Sequence, residues 1–500
     1  MNNRLTLDEL KSYLWNSAVI LRSNVEASAY KQYIFPLLFF KRICDVYDEE
    51  TAKALQQYGT DVSEFEESDL HTFVVPKGYH WNDVRNCSEN IGKAITDAFR
   101  MVENANSEKL QGVFGDGAWT NKNRLPDRLL KDLLEHFSSQ TLSIANCPED
   151  ELGQGYEHLI KEFADDSGHT AQEFYTNRTV VHLMTQMLKP QSGESIYDPT
   201  CGTAGMLISA IAFLKNQNHE WRNVAAYGQE IVTLSSAIAR MNLFLHGIKD
   251  FSIVNGDTLE NPAFIENGQL KTFDLVLANP PYSISQWKRE AFASDKYGRN
   301  FLGVPPQGRA DYAFFQHIIK SMNPRTGRCA ILFPHGVLFR NEEKEMRERL
   351  VKMDVLECII GLGANLFYNS PMEACIVICR MNKPLVRRGK VLFINAVNEV
   401  TRKNAQSFLE EHHIRKIAEA YEQYTSDEHF SKAVTIKEIA DNGYSLSIPL
   451  YVKEPATSPQ ATDNRSQQQL FQDWQAASDE MHRCYEELNG LIRNGGQDNE

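Results

Sequence analysis

The pattern of short apolar runs in the second part of the chain constrains the fold more than any other feature. After Pro190, such runs alternate with segments of helical periodicity, at residues 195–198, 224–230, 252–257, 273–278, 328–334, 355–362 and 374–380. Buried parallel strands carry near-continuous apolar runs, and strands that alternate with helices are typical of a doubly wound sheet. The sequence therefore predicts an α/β domain with a Rossmann-like sheet over residues 151–452.

The first 150 residues carry a different pattern. Thr6 and Glu9 have the spacing of a capping box, and Leu10 and Leu14 begin an apolar repeat of helical period. Further amphipathic segments follow, and no strand-like alternation of any length interrupts them. We predict an all-helical domain over residues 1–150, without residues suited to catalysis.

Residues 453–500 have the composition of a linker followed by a helix. Residues 453–465 are rich in Pro, Thr, Ser and Asn or Gln, and apolar residues then recur at alternating spacings of four and three from Leu470 to Leu491. This heptad pattern favours a helix that docks on a partner chain. A helix packed on its own domain explains the pattern about equally well.

Residues 279–282, Asn-Pro-Pro-Tyr, follow the fourth apolar run and so stand where ligands bind in open α/β sheets. The Asn279 amide oxygen and the Pro280 carbonyl can both accept hydrogen bonds from one exocyclic amine. The prolines stiffen the loop without adding N–H groups, and Tyr282 offers a ring for stacking. The alternative is an ordinary exit from a strand into a turn, where Asn-Pro and Pro-Pro are common.

Three acidic residues end or follow the first three apolar runs. Asp198 opens the segment 198–205, Asp-Pro-Thr-Cys-Gly-Thr-Ala-Gly, whose small residues allow a backbone to approach a ligand closely. Glu230 ends the second run, where a carboxylate commonly accepts a pair of ribose hydroxyls, and Asp257 ends the third, where it can accept from an adenine amine. Any one of these acids is more simply a surface or helix-capping residue. Their occurrence in strand order before Asn279 is hard to obtain by accident.

With these motifs the sequence resembles the S-adenosylmethionine-dependent N6-adenine DNA methyltransferases, and among them the modification (M) subunits of Type I restriction–modification systems. The resemblance covers about residues 5–452 and includes residues 308–314 and 443–446. It implies catalysis by Asn279, Pro280 and Tyr282. It also implies that the cofactor is S-adenosyl-L-methionine, bound by Phe174, Tyr175, Thr176, Asp198, Thr200, Gly202, Gly205, Glu230, Asp257 and Asn279.

Two positions depart from the pattern of this family. Asn177 stands where proline is usual, which predicts a less rigid loop after Thr176. Ala204 stands where a second glycine is usual, which predicts a slight shift of the backbone at the methionine end of the cofactor. Neither change removes a side chain that is expected to do chemistry.

The resemblance also implies a mechanism. Adenine N6 is inaccessible inside a stacked duplex, so the target base must flip out, and Tyr282 would stack on it. Asn279 and Pro280 would accept both N6 hydrogens and direct the nitrogen lone pair at the sulfonium methyl group. The substituted ammonium that forms is acidic enough to lose its proton without a strong enzymic base. We therefore expect most of the rate to come from positioning.

The charge of the chain indicates either that its substrate is not nucleic acid or that a partner supplies much of the electrostatic attraction to DNA. A formal net charge of −14 opposes binding of the chain alone to DNA, because phosphate contacts need clustered Lys and Arg. The resemblance implies a DNA-specificity subunit that reads the site, two M chains beside it and, as a further partner, a restriction or translocase subunit. A solvated surface and a phosphate contact are equally good explanations for the basic residues after the tetrapeptide, Lys288, Arg289, Lys296, Arg299 and Arg309.

Other classes of protein fit the sequence less well. Nine cysteines without a Cys-x-x-Cys pair predict neither a zinc site nor a disulfide framework. Without an apolar signal region or a membrane-length run, we expect a cytoplasmic protein with no membrane partner. Two rivals remain: a methyltransferase that modifies a glutamine amide in a protein, because such enzymes also carry Asn-Pro-Pro-Tyr, and a scaffold that keeps the fold without turnover.

Overall fold

The structure, a computed structural model, describes residues 4–59, 66–166, 176–366, 373–403 and 406–453. The linker and heptad pattern after residue 453 lie outside these ranges, as do the predicted cofactor-binding residues Phe174 and Tyr175.

The described chain before residue 190 is helical, as its apolar spacing predicts. Its α-helices are α1 (Leu7–Leu21), α2 (Lys31–Tyr58), α3 (Glu67–Leu70), α4 (Trp81–Arg85), α5 (Ile91–Ala105), α6 (Ser107–Leu110), α7 (Asp127–Ser138), α8 (Glu149–Asp166) and α9 (Arg178–Leu188). The predicted capping box is present, because the Glu9 carboxylate accepts from Thr6 N–H at 2.9 Å and Thr6 Oγ1 accepts from Glu9 N–H at 3.4 Å. None of the helices in the described residues is long and apolar enough to cross a membrane.

Helix α2 lies at the centre of the helical core. Every residue from 33 to 40 is buried, so α2 has no solvent-facing side over this stretch, and its neighbours pack around it. Leu10 and Leu14 of α1 are fully buried in the same core, and α1 packs along α8. The apolar periodicity of these helices therefore explains why they pack together.

The chain after residue 190 forms the predicted α/β architecture. Its strands are β1 (Ser195–Asp198), β2 (Ala225–Glu230), β3 (Phe251–Asn255), β4 (Ile265–Glu266), β5 (Gln269–Leu270), β6 (Leu275–Ala278), β7 (Arg328–Pro334), β8 (Leu356–Leu362), β9 (Ala374–Arg380), β10 (Lys390–Ala396), β11 (Thr401–Lys403), β12 (Gln406–Phe408) and β13 (Ser431–Thr435). Its α-helices are α10 (Gly205–Asn216), α11 (Thr233–Leu245), α12 (Arg289–Ala293), α13 (Asp311–Lys320), α14 (Lys344–Lys352), α15 (Glu411–Gln423) and α16 (Ile436–Asp441).

Nine strands form one sheet in the order β13-β10-β8-β9-β7-β6-β1-β2-β3. β9 runs antiparallel between β7 and β8, β13 runs antiparallel beside β10, and the other neighbouring pairs are parallel. Each of the predicted apolar runs forms one of these strands, which confirms the α/β prediction. Apolar periodicity does not predict β13, because its sequence, Ser-Lys-Ala-Val-Thr, contains no continuous apolar run.

Helices cover both faces of the sheet. Leu275 and Leu277 of β6 belong to the core shared with α9, α10 and α15, whereas Val276 and Ala278 belong to the core shared with α13 and α14. This alternation is the two-residue period of a strand that is buried on both faces. The helical core also reaches the α/β domain, because it includes Ile238 and Met241 of α11.

The strand order places the carboxyl ends of β1 and β6 at the point where the direction of chain progression reverses. β1 lies between β2 and β6, with Asp198 opposite Gly228 and Tyr197 opposite Val276. In open α/β sheets ligands bind in the crevice that such a reversal creates. The predicted site motifs follow these strand ends.

Candidate active site

A cavity opens at the carboxyl ends of β1 and β6. Its lining residues come from the start of α9, the loop between β1 and α10, and the tetrapeptide: Thr176, Arg178, Val181, Asp198, Thr200, Cys201, Gly202, Thr203, Gly205, Met206 and Asn279. The fold thus brings together six of the predicted site residues that the structure describes. Glu230, Asp257, Pro280 and Tyr282 do not line this cavity and lie at neighbouring strand ends and in the tetrapeptide.

One end of the Asn279 amide has a hydrogen-bond partner and the other has none among the described residues. Its Nδ2 donates to Thr176 Oγ1 at 3.0 Å, while its Oδ1 is buried and accepts no hydrogen bond from the part of the chain that the structure describes. Buried polar atoms are nearly always hydrogen-bonded, and a vacant acceptor costs about 1–3 kcal/mol. The cavity therefore contains an acceptor that a ligand donor would satisfy.

Asn177 secures the segment that carries Thr176. Its Oδ1 accepts from Thr179 N–H at 3.0 Å as the N-cap of α9, and its Nδ2 donates to the Ser407 carbonyl at 3.2 Å. Hydrogen bonds therefore hold Asn177 on both sides, and the lower rigidity of the loop after Thr176 stays a prediction.

Asp198 is the buried acid of the cavity. It is 3% exposed, its Oδ1 accepts from Thr200 N–H at 3.0 Å, and it forms no ion pair with the residues that the structure describes. Burial, with a contribution from the nearby Glu230 carboxylate, raises the pKa of Asp198 to about 8. A cation bound here would favour the ionised form, so the group suits a ligand with an ammonium or a sulfonium.

The backbone between β1 and α10 forms a tight cradle. Gly202 has φ of +51° and donates its N–H to Glu230 Oε2 at 2.9 Å. Ala204, at the N-cap of α10, has φ of +65°, so it adopts the left-handed conformation that favours glycine. The alanine therefore carries strain of about 1–2 kcal/mol. The predicted shift of the backbone stays a prediction.

Arg178 is a cavity residue that the motif search missed. Its guanidinium lies over the start of α10, where a Cβ on Gly205 would come within 2.0 Å of Nη1, and its Nη2 pairs with Glu157 of α8. Arg178 belongs to no motif in the sequence, so only its position directly after residues 174–177 could have indicated it. A guanidinium here suits an anionic group such as a carboxylate.

Glu230 and Asp257 organise the turns after β2 and β3. Glu230 Oε1 accepts from Val232 N–H at 2.8 Å, in addition to the bond from Gly202. Asp257 Oδ1 accepts from Leu259 N–H at 2.8 Å and Glu260 N–H at 3.2 Å, so this carboxylate holds the turn after β3, where no helix begins in the described chain. Carboxylate oxygens can accept several hydrogen bonds, so these contacts leave room for ligand hydroxyls.

Pro280 and Tyr282 complete the tetrapeptide, and Pro280 is buried. Burial raises the pKa of the Tyr282 phenol well above its usual range, so this ring stays neutral at physiological pH.

One of the basic residues after the tetrapeptide does not face solvent. Arg299 is 2% exposed, and its Nη2 donates to Asp295 Oδ1 at 2.7 Å. It also donates to the carbonyls of Thr258 and Leu259 at 2.9 and 2.8 Å. The interpretation of Arg299 as a phosphate contact or a solvated residue is therefore wrong, because this side chain ties its loop to the turn after β3.

Two family models match the chain. The model described as N-6 DNA Methylase matches residues 148–460, and the model described as HsdM N-terminal domain matches residues 10–137. The first of these alone spans more than half of the chain.

Known proteins of similar sequence and structure agree with these matches. The Type I restriction enzyme MjaVIII methylase subunit of Methanocaldococcus jannaschii is 31% identical over 520 residues, which cover 98% of this chain and 86% of that protein. The Type I restriction enzyme HindI methylase subunit of Haemophilus influenzae is 31% identical over 380 residues, or 72% and 83% of the two chains. A type I restriction-modification system methyltransferase subunit from Streptococcus thermophilus has a similar structure, with a TM-score of 0.79, 29% identity and coverage of 90% and 100%.

Proposed function

This chain belongs to the N-6 DNA methylase family, among the methylase subunits of Type I restriction enzymes, and on that basis we propose that it transfers a methyl group from S-adenosyl-L-methionine to N6 of adenine in duplex DNA. The observation that carries the proposal is the Asn279 amide, whose nitrogen is engaged by Thr176 and whose buried oxygen accepts no hydrogen bond from the described residues. An exocyclic amine supplies the missing donor.

The tetrapeptide would hold the target nitrogen. Asn279 Oδ1 and the Pro280 carbonyl accept the two N6 hydrogens, which keeps the nitrogen lone pair from delocalising fully into the ring. The neutral Tyr282 ring stacks on the base after it has flipped out of the duplex. Positioning of this kind can supply about 7–11 kcal/mol of the barrier.

The cavity fits the methionine end of S-adenosyl-L-methionine. When bound, this cofactor supplies the methyl carbon, which leaves the sulfonium sulfur as the bond to N6 forms, and an N6 proton passes to solvent. Asp198 would pair with the ammonium, which removes the cost of its buried charge, and Arg178 would pair with the carboxylate. Thr200, Gly202 and Gly205 would line the cavity next to the methionine end of the cofactor.

The remaining cofactor contacts follow from the neighbouring strand ends. Glu230 would accept from the ribose hydroxyls, and Asp257 would accept from the adenine amine. Thr176 would touch the cofactor as well as Asn279, and Phe174 and Tyr175 are assigned to it by the family resemblance alone.

Site selection would come from partner chains. The relatives are named as subunits of Type I restriction enzymes, and a net charge of −14 leaves this chain short of phosphate contacts. We therefore assign recognition to a DNA-specificity subunit with two of these chains beside it, and cleavage to a restriction subunit.

Residues 470–491 are the candidate docking helix, so deletion of residues 465–500 is expected to weaken the assembly, and an unchanged complex would contradict this assignment.

The proposal is tested by transfer of a labelled methyl group from S-adenosyl-L-methionine to unmethylated genomic DNA, with the chain alone and with its co-purified partner. We expect labelled DNA only when the partner is present. Label on DNA from the chain alone would refute the need for a partner. Label on protein would favour the glutamine methyltransferase, and no label on either would favour the scaffold.

A further inference from the structure

We propose that Asp311 and Arg340 form a clamp that positions the tetrapeptide, and that they act on methyl transfer without touching cofactor or base. The proposal rests on the function proposed above and adds two positioning residues to it. The clamp is defined as the hydrogen-bonded group of Ser283, Asp311 and Arg340.

The tetrapeptide cannot fix itself through its own backbone. Pro280 and Pro281 have no N–H groups, so the loop lacks two of the donors that would tie it to neighbouring elements. The chain then turns at Ser283, whose φ of +50° is unusual for a residue with a side chain. Such a conformation persists only where surrounding contacts hold it.

Asp311 supplies the main contact with this turn. It is the first residue of α13 and is 1% exposed, and its Oδ1 accepts from Ser283 N–H at 2.8 Å. Its Oδ2 lies 3.4 Å from Ser283 Oγ. A carboxylate at a helix N-terminus is stabilised by the helix dipole, so α13 provides a rigid support for the loop.

Arg340 closes the group from the other side. Its Nη1 donates to Asp311 Oδ2 at 2.7 Å, and its Nη2 lies 3.4 Å from Ser283 Oγ. The Arg340 side chain is 14% exposed, so this ion pair is largely shielded from water. Every pair within the clamp is therefore in contact.

The clamp is anchored to the end of the α/β domain. Arg347 donates from Nη1 to the Arg340 carbonyl at 2.6 Å and from Nε to the Tyr444 carbonyl at 3.3 Å. Leu446 N–H donates to the Leu338 carbonyl at 2.8 Å. Residues 308–314 and 443–446 carry no catalytic group, and both segments thus support the tetrapeptide through the clamp.

The test compares Asp311→Asn and Arg340→Met with the wild type in the complex with its partner. The Asp311→Asn variant would retain an acceptor for Ser283 N–H but lose the ion pair. The Arg340→Met variant loses the contacts of the guanidinium with Asp311 and Ser283, and also its ion pair with the buried Glu343 at 3.5 Å. We expect kcat for methylation of genomic DNA to fall about 10–100-fold, while the Kd for S-adenosyl-L-methionine and the KM for DNA stay within about threefold, as for a group that acts only on positioning.

Glu357→Gln is the matched control. Glu357 is fully buried and pairs with Arg380 at 3.0 Å and Arg387 at 3.0 Å, in β8 and away from the tetrapeptide. This variant loses both ion pairs of a buried carboxylate, so it should lower Tm but keep kcat. Equal losses of kcat in the control and the clamp variants would reduce the clamp to a general contribution to stability and overturn the proposal.

Hydrogen–deuterium exchange tests the clamp independently of activity. The Ser283 amide should exchange at least about tenfold faster in Asp311→Asn than in the wild type or in Glu357→Gln, because a neutral acceptor holds it less well. Unchanged exchange together with unchanged kcat would overturn the clamp. A wild-type complex that methylates nothing would instead contradict the proposed function, and the exchange rates would still decide on the clamp.

Discussion

Two buried aspartates on the ligand side of the sheet differ sharply in their surroundings. Asp198, on the cofactor side, accepts from a single backbone N–H and forms no ion pair with the described residues, and its pKa rises to about 8. Asp311, behind the tetrapeptide, is paired with Arg340 at 2.7 Å and holds Ser283. Burial is nearly the same for both, at 3% and 1% exposed. The partners of a carboxyl group, rather than its depth, therefore distinguish a group that awaits a ligand from one that supports the structure.

The same contrast applies to amides and other acids. Asn279 has a buried oxygen without a donor in the described part of the chain, whereas Asn177 uses both ends of its amide to hold the start of α9. Glu357 is as deeply buried as Asp198, yet two arginines and the Tyr421 hydroxyl lower its pKa despite the burial. Asp198 and Asn279, whose capacity for partners is not filled by the described residues, both line the cavity, whereas Asn177 and Glu357 do not line it.

The largest effect that we predict is that of Asn279→Ala. Removal of the vacant acceptor should lower methyl transfer about a thousandfold or more, since donors and acceptors at reacting centres contribute about 10²–10³ each and positioning is lost as well. Rates come from a labelled-transfer assay, and cofactor affinity comes from calorimetry. Asn300→Ala, which loses only a bond to the Ala293 carbonyl, is the control and should behave like the wild type. Loss of cofactor binding together with activity would contradict the assigned role.

The next effect concerns Asp198→Asn. The neutral amide keeps the shape but cannot pair with a cation, so the Kd for S-adenosyl-L-methionine should rise about 10–100-fold, as expected for a charge-assisted bond of about 1.5–3 kcal/mol. Unchanged affinity would show that Asp198 is merely a buried acid.

The raised pKa of Asp198 also predicts that stability and cofactor affinity depend on pH. Its pKa is about 8 in the free chain, above its unfolded value near 4, so its contribution to stability falls as pH rises between these values. A bound cation favours the ionised form, so cofactor binding should release a proton and tighten as pH rises from about 6 to about 7.5. Calorimetry in buffers of different ionisation enthalpy measures this release, which should disappear in Asp198→Asn; its persistence would assign the proton to another group.

A smaller effect is expected at Thr176. Thr176→Val removes the acceptor that orients the Asn279 amide, so transfer should fall about 3–10-fold, which corresponds to a hydrogen bond of about 1 kcal/mol. Thr176→Ser retains the hydroxyl and is the matched control. If the rate of methyl transfer falls equally in both variants, the Thr176 hydroxyl does not orient the Asn279 amide.

The smallest effect is expected at Ala204, on the cofactor side. Ala204→Gly relieves the left-handed strain but increases the entropy of the unfolded chain, so the free energy of unfolding should rise by only about 0.5–1 kcal/mol. Thermal unfolding measures it, and transfer should not change. A decrease in stability of more than about 1 kcal/mol would mean that the alanine side chain makes contacts that outweigh its strain.

The strands and the acids after them could be predicted because each depends on residues that are close in the sequence. Apolar runs located the strands because a strand buried on both faces must be apolar throughout, and the acids after them followed from strand order. Arg178 was missed and Arg299 misinterpreted because their partners, Glu157 and the carbonyls after β3, are distant in the sequence. The Asp295–Arg299 spacing of four was a local signal for the buried pair.

The clamp could not have been predicted for the same reason. Asp311 and Arg340 are separated by all of α13 and β7, so only the sheet order brings them to one loop. Phe174 and Tyr175 remain predictions from the family resemblance.

The most direct test of the account is the identity of the product. The complex of this chain with its partner is incubated with S-adenosyl-L-methionine and unmethylated genomic DNA, the DNA is digested to nucleosides, and these are separated and identified by mass spectrometry. We expect N6-methyldeoxyadenosine from the wild type and a loss of about a thousandfold from Asn279→Ala at saturating cofactor. A different methylated nucleoside, methylglutamine in protein, or equal product from both enzymes would contradict it.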